Sequence, residues 1–150
     1  MREALRLSIE QMRAGAGGPF GAVIVRQGEI IARGWNQVTT ANDPTAHAEV
    51  VAIREACKKL GSFQLRGCEI YASCEPCPMC LAAVYWSRLD RLFYAATRLD
   101  AAEAGFDDDF IYQELSRPMA GRKLETSQIL RDDALGAFRE WKTKPGKTAY

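Results

Sequence analysis

The sequence predicts an α/β domain in which helices cover both faces of a mixed sheet. Two Val- and Ile-rich runs within residues 20–36 flank Gln27 and Gly28, a pattern that predicts an antiparallel hairpin. After it, the short apolar runs 68–73 and 91–96 alternate with helical segments, as βαβ units do. A chain of 150 residues corresponds to one domain with a sizeable core.

Start signals place the two central helices. Asp43 followed by Pro44 predicts the start of a helix that ends near Gly61. Pro76 predicts the start of the next helix, which runs through CPMCLAAVYW. Each helix would carry a potential metal ligand close to its N-terminus.

The ends of the chain supply further elements. Leu5, Ile9 and Met12 have helical spacing and predict an amphipathic first helix. A looser acidic segment after residue 96 leads to a predicted strand over LETSQIL, residues 124–130, and a last helix over residues 134–142. The remaining residues form a short polar tail.

Composition and charge narrow the function classes. Twenty Lys and Arg against nineteen Asp and Glu give a net charge of +1, without the basic excess of a general nucleic-acid binder. No apolar run approaches the ~18 residues of a membrane span, and the N-terminus lacks the apolar region of a signal peptide. Five cysteines without an export signal fit a reducing compartment. We therefore predict a cytoplasmic protein with neither a nucleic-acid nor a membrane partner.

The only histidine and a cysteine cluster have the residue types and spacing of a metal site. Cys77 and Cys80 form a Cys-x-x-Cys pair at a helix N-terminus, where thiolates are favoured and both sulfurs can reach one tetrahedral zinc. With His47 as the third ligand, the fourth position stays open for water, as in catalytic sites. If Cys74 also bound, the site would be a closed Cys₃His cluster with a structural role. Cys74 lies before the helix, which favours the open set.

Glu49 follows the histidine by two residues. Residues two apart on a helix point in different directions, except in the first turn, where side chains tilt back past the helix end. An early position of His47 would thus let Glu49 reach the open coordination position without binding the metal. A carboxylate there can take a proton from water and deliver it to a substrate.

The motifs together match a known pattern. HAE at residues 47–49 with PCPMC at residues 76–80 has the form H-x-E…P-C-x-x-C. With the wider stretches GGPFGAVIV, NDPTAHAEV and SCEPCPMC, the chain resembles the purine branch of the cytidine deaminase superfamily. The resemblance implies a three-layer α/β/α sandwich with a mixed five-stranded sheet, as one deaminase domain over residues 1–150, usually dimeric. It also implies Zn²⁺ on His47, Cys77 and Cys80, with Glu49 as the proton shuttle.

The segment DAAEAGFDDDFIY, residues 100–112, resembles the corresponding part of bacterial guanine deaminases. Guanine presents N1–H and a 2-amino group, for which carboxylates are acceptors, whereas adenine N1 is itself an acceptor. Alignment from Phe106 favours Asp108 within the acidic triplet, although such a triplet alone would indicate a solvated loop or a helix cap. The resemblance implies hydrolysis of guanine to xanthine and ammonia. A tRNA or nucleoside adenosine deaminase and a structural Cys₃His module are the alternatives.

The same resemblance implies a set of substrate contacts for a small purine base. Asn36 would bind a purine edge, Phe20 and Trp86 would be stacking walls, and Ala48 would contact the substrate beside Glu49. Aromatic residues are more often core residues. The tail 143–150, ending at Tyr150, would close over the site, in some members from the partner subunit of a homodimer.

Overall fold

A computed structural model describes residues 1–149. Its strands are β1 (Gly21–Arg26), β2 (Glu29–Trp35), β3 (Cys68–Cys74) and β4 (Arg91–Ala96). Its helices are α1 (Arg2–Arg13), α2 (Val38–Ala41), α3 (Ala48–Leu60), α4 (Pro78–Trp86), α5 (Arg98–Glu103), α6 (Asp108–Ser116) and α7 (Arg131–Thr143), with a 3₁₀ turn at Met119–Gly121. Residues up to Tyr112 form one compact unit, and residues from Gln113 onward form a second. No helix in the described part of the chain is long and apolar enough to span a bilayer.

The first unit contains a mixed sheet with the strand order β2-β1-β3-β4. Strand β1 is antiparallel to both neighbours, and β3 is parallel to β4. Gln27 and Gly28 form the predicted hairpin turn, with φ of 52° and 81°, so both central residues have the left-handed backbone of a type I′ turn. The α/β class and the mixed sheet are confirmed.

The predicted count of five strands is wrong, because the sheet of the described residues has four. The segment over residues 124–130 has no strand. Leu124 and Leu130 would lie on one face of such a strand, but two polar residues interrupt that face and Ile129 would point to the opposite one. All three apolar side chains are more than 70% exposed. Without one continuous apolar face, the segment has little to gain from joining a sheet.

Helix α3 packs on one face of the sheet at unusually close range. A Cβ atom at Gly34, in β2, would lie 2.2 Å from the carbonyl oxygen of Ala48 and 2.6 Å from the nitrogen of Ala52. Only a residue without a side chain permits this approach. Strand β2 therefore fixes how deeply the N-terminal turn of α3 sits against the sheet.

Helix α1 forms as predicted and packs on the opposite face of the sheet. The three apolar residues behind that prediction are 37–45% exposed: Leu5, Ile9 and Met12. The helix instead turns Ala4, Leu7 and Ser8 to the sheet. A Cβ atom at Gly21 would lie 2.3 Å from the carbonyl oxygen of Ala4. The close approach to Gly21 accounts for the small side chains of Ala4 and Ser8, while Leu7 is the large apolar residue buried on this face.

The acidic segment after β4, expected to be loose, forms helices α5 and α6. Thr97 and Asp100 make a capping box at the start of α5: the Asp100 N–H donates to Thr97 Oγ1 (3.3 Å), and the Thr97 N–H donates to Asp100 Oδ2 (2.7 Å). Helix α6 begins at Asp108, with Asp108 and Asp109 in its first turn, where carboxylates interact favourably with the helix dipole.

Candidate active site

Two helix N-termini meet at the predicted metal ligands. His47 is the N-cap residue of α3 and Cys77 is the N-cap residue of α4; both have extended backbones, with ψ of 154° and 167°. Their side chains thus lie at the positive ends of the two helices. Cys77 Sγ is 3.6 Å from His47 Nδ1. The two ligands belong to loops that end where the helices begin.

Both helices start later than predicted. Asp43 does not cap α3, because its Oδ1 accepts hydrogen bonds from the N–H and the hydroxyl of Thr45 (2.8 and 2.7 Å) and closes a local turn. Helix α4 begins at Pro78 and not at Pro76, with the proline at a position that needs no N–H donor. As a result, Glu49 occupies the second position of α3, within the first turn.

His47, Cys77 and Cys80 form a cluster suited to one metal ion. Their ligand atoms all lie within 4.8 Å of one another. Tetrahedral zinc, with Zn–S near 2.3 Å and Zn–N near 2.1 Å, separates neighbouring ligands by roughly 3.5–4 Å. One nitrogen and two sulfur donors at these distances fit zinc with one coordination position left over.

Of the two cysteines, Cys77 loses its proton easily and Cys80 keeps its proton. A hydrogen bond from Cys80, assisted by His47, lowers the pKa of Cys77 to about 4 despite burial. The hydrogen bond to Cys77 and burial raise the pKa of Cys80, and the contact with Cys77 raises that of His47. The pair therefore holds a thiolate at neutral pH, and binding of a cation would release the proton of Cys80.

Cys74 is not part of this cluster. It is the last residue of β3, and its thiol donates to the carbonyl oxygen of Thr97 (3.4 Å). Burial raises its pKa to about 11, and the residues grouped as potential ligands of one ion are His47, Cys77 and Cys80. The structure brings together the open three-ligand set.

Glu49 is buried next to the three ligands, with 8% of its surface exposed. Burial raises the pKa of its carboxyl to about 7. It lines the same cavity as His47 and Cys77. A carboxyl with this pKa can both accept and release a proton near neutrality.

A cavity of about 250 Å³ opens over these groups. Its size is near the lower end for ligand pockets and suits a small molecule. The lining residues are Gly18, Phe20, Asn36, Val38, Thr39, His47, Glu49, Glu75, Cys77, Phe106 and Asp108.

Asn36 enters this cavity in a fixed orientation. Its Oδ1 accepts hydrogen bonds from the N–H groups of Gly18 and Val38, both at 3.3 Å. The residue is 8% exposed. Because the amide oxygen accepts hydrogen bonds from the backbone, the Nδ2 group remains to donate a hydrogen bond to a ligand.

The acidic triplet is divided by the start of α6. Asp108 lines the cavity, whereas Asp107 is exposed and Asp109 accepts a hydrogen bond from Arg98 Nε (3.2 Å). Burial, and then the negative charge on Cys77, raise the pKa of Asp108. Within the triplet, Asp108 is the carboxylate that faces the cavity.

Phe20 meets Phe106 edge to face, with 4.7 Å between ring centroids, and both rings line the cavity. Phe106 and Glu75 were not among the predicted site residues. Phe106 precedes the acidic triplet and Glu75 precedes Pro76. Their positions beside the motifs are the only indication in the sequence that they belong to the site.

Two predicted contacts are not brought to the cavity lining. Trp86 ends α4, at the far end from Cys77, and is 63% exposed. Ala48 is buried in the core and is not among the lining residues. Tyr150 lies outside the described residues.

The family model described as the cytidine and deoxycytidylate deaminase zinc-binding region matches residues 1–96. Over 150 residues the chain is 55% identical to guanine deaminase of Bacillus subtilis (strain 168), and the match covers all of this chain and 96% of that protein. The X-ray structure of guanine deaminase from Bacillus subtilis matches with a TM-score of 0.96, covering 99% of this chain and 95% of that chain.

Two more distant proteins are also similar. The structure of guanine deaminase from Nitrosomonas europaea matches at 34% identity with a TM-score of 0.69, covering 95% of this chain and 82% of that one. A tRNA-specific adenosine deaminase of Aquifex aeolicus (strain VF5) is 47% identical over 87 residues, 58% of this chain and 56% of that protein. The similarity to the tRNA enzyme thus extends over little more than half of each chain.

Proposed function

The chain belongs to the family of cytidine and deoxycytidylate deaminases that share a zinc-binding region, and on this premise we propose that it is a guanine deaminase. The reaction is the hydrolysis of guanine to xanthine and ammonia. The observation that carries the proposal is that the carboxylate of Asp108 and the amide of Asn36 line the same cavity as the metal-binding cluster.

The polar groups of the cavity complement guanine. The N1–H and 2-amino groups of guanine are donors, and Asp108 is an acceptor. The Nδ2 group of Asn36 is a donor for the carbonyl oxygen or a ring nitrogen of the base. Adenine would place an acceptor at N1 against the same carboxylate, so the cavity favours guanine. Phe20 supplies an aromatic wall.

Glu49 moves the protons of the reaction. His47, Cys77 and Cys80 would hold one zinc ion, which would supply the Lewis acid that activates water. Glu49 accepts the proton of the water that attacks C2 and donates it to N3 of the ring. It then takes the proton of the new C2 hydroxyl and passes it to the amino group, which leaves as ammonia when the C2–N bond breaks and the C2 carbonyl forms. Burial of the carboxyl, with its pKa about 7, supports both directions of transfer.

A panel of substrates tests the proposal. Ammonia release from the zinc-loaded protein should be fastest with guanine and much slower with adenine and cytosine, because among these bases only guanine presents N1–H and 2-amino donors to the carboxylate of Asp108. The nucleosides of the three bases complete the panel. Release from adenosine or from tRNA without release from guanine would overturn the assignment and favour the adenosine deaminases.

In a closed Cys₃His module Cys74 would bind zinc, so replacing Cys74 distinguishes the closed site from the open one. We expect Cys74→Ser to keep about one zinc per chain and parent-like affinity, because the thiol contacts a carbonyl and not the cluster. Metal competition with a chromophoric chelator measures this, with Cys80→Ser as the control that loses zinc. A large loss of affinity in Cys74→Ser would indicate four protein ligands.

We further propose that the chain is a single deaminase domain that works as a homodimer in the cytoplasm. Exposed aromatic residues on α4 and β4 support an interface on the first unit: Tyr85, Trp86, Phe93 and Tyr94 are 38–70% exposed. The five cysteines are free, which fits a reducing compartment. Light scattering of the purified protein tests the dimer.

The tail 143–150 is proposed to close over the purine, from the same chain or exchanged with the partner, with Tyr150 near the base. Removing residues 145–150 should then leave zinc content unchanged and raise KM or lower kcat at least about tenfold, since the cavity would lose a closing element. Unchanged kinetics of the truncated protein would show that the tail has no such role.

A further inference from the structure

Arg98 lies outside the cavity but contacts three residues from the segments that form it. Its backbone N–H and its Nη1 donate to the two carboxylate oxygens of Glu75 (3.0 and 3.3 Å). Its Nε donates to Asp109 Oδ1 (3.2 Å). The guanidinium carbon is 4.8 Å from the ring centre of Tyr112. We refer to Glu75, Arg98, Asp109 and Tyr112 as the Arg98 cluster.

On one side, the cluster holds the peptide that leads to Cys77. The Tyr112 hydroxyl donates to the carbonyl oxygen of Pro76 (2.8 Å), one residue before the metal ligand. The N–H of Glu75 donates to the carbonyl oxygen of Ala96, at the end of β4 (2.8 Å). With the carboxylate of Glu75 bound by Arg98, residues 75–76 are fixed by three separate contacts.

On the other side, the cluster sets the rotation of α6. Asp109 and Tyr112 are three residues apart and therefore share one face of the helix. Asp108 is one residue, or about 100°, away from Asp109 around the helix axis. With Asp109 and Tyr112 held at Arg98 and Pro76, the side chain of Asp108 is directed into the cavity.

We propose that Arg98 is a positioning residue that couples the loop of Cys77 to the helix of Asp108. The coupling to the metal ligand stands on these contacts alone, whereas the effect on guanine binding rests on the proposed function of Asp108. An arginine suits this place because its planar guanidinium can bind two carboxylates and lie over an aromatic ring at once. A lysine is a point charge that would satisfy only part of the arrangement.

The contacts of Arg98 should matter for local geometry more than for global stability. The side chains of Arg98, Glu75 and Asp109 are 39%, 21% and 25% exposed, and ion pairs with this exposure stabilise folded proteins only weakly. Displacement of a substrate-binding group by even 1 Å, by contrast, can lower activity strongly.

The kinetic test compares two arginines. We expect Arg98→Met to raise KM for guanine about 10- to 100-fold, with a smaller change in kcat and a melting temperature close to the parent value. Arg91→Met is the matched control, since Arg91 Nη1 also lies 3.3 Å from a glutamate, Glu69, but away from the cavity lining. Arg98→Lys should recover part of the loss.

The metal-release test does not depend on the substrate. Tyr112→Phe keeps the ring under Arg98 and removes the hydrogen bond to Pro76, so zinc should transfer to a chromophoric chelator about tenfold faster than from the parent or from Arg91→Met. Arg98→Met should accelerate release in the same direction. If both variants release zinc and bind guanine like Arg91→Met, the proposal is wrong. If the parent fails to deaminate guanine, the proposed function fails, and the release rates still decide whether the Arg98 cluster holds the metal loop.

Discussion

Replacing Glu49 by glutamine should abolish most of the deaminase activity while the protein keeps about one zinc per chain. Glutamine preserves the size of the side chain and its place in the first turn of α3, but it cannot take up a proton. Each proton transfer assisted by a positioned group contributes about 10²–10⁴ in rate, and the proposed reaction uses Glu49 in more than one transfer. We therefore expect a loss of at least about 10³ in kcat.

The measurement needs zinc content and turnover from the same preparation. Glu55→Gln is the matched control, because Glu55 lies on the same helix and is exposed. It should retain parent activity. If zinc-loaded Glu49→Gln turned over guanine at nearly the parent rate, the proton would have to move by another route, and Glu49 would have no catalytic role.

Asp108→Asn is expected to have the second-largest effect. The change replaces an ionised acceptor by a neutral amide, which leaves a donor of guanine poorly matched inside a buried cavity. Such a mismatch costs about 2–4 kcal/mol, so kcat/KM for guanine should fall roughly 30- to 1,000-fold without loss of zinc.

Substitutions of the two neighbouring aspartates are the comparison variants for this test. Asp107→Asn changes an exposed residue and should leave kcat/KM near the parent value. Asp109→Asn removes the partner of Arg98 Nε, and we expect an intermediate loss through the rotation of α6. If Asp107→Asn proved the most damaging of the three, the alignment from Phe106 that selected Asp108 would be wrong.

The metal cluster could be predicted from the sequence because its three ligands belong to two short motifs. His47 and Cys77 are capping residues, and Cys80 follows Cys77 by one helical turn, so two short motifs fix most of the geometry. The motif did not fix where the helices begin. The preference of Asp43 for a local turn with Thr45 shifted the start of α3, and this shift is what places Glu49 in the first turn.

The remaining parts of the site depend on long-range packing that no short pattern encodes. Phe106 joins the cavity by meeting Phe20, more than eighty residues earlier in the chain. The buried face of α1 also depends on what it packs against, since Gly21 on β1 contacts Ala4, Leu7 and Ser8. Periodicity identifies that a helix forms, but the surface it meets decides which face is buried.

Gly34 influences the geometry of the site although it does not line the cavity. A methyl group there would collide with backbone atoms of α3, and backbone cannot swing aside as a flexible side chain can. The helix would have to lift or slide, carrying His47 and Glu49 away from the loop of Cys77. Substitutions in this enzyme are therefore restricted by the packing of β2 against α3 as well as by the catalytic groups. In a saturation screen, position 34 should behave like an active-site position although it touches no substrate.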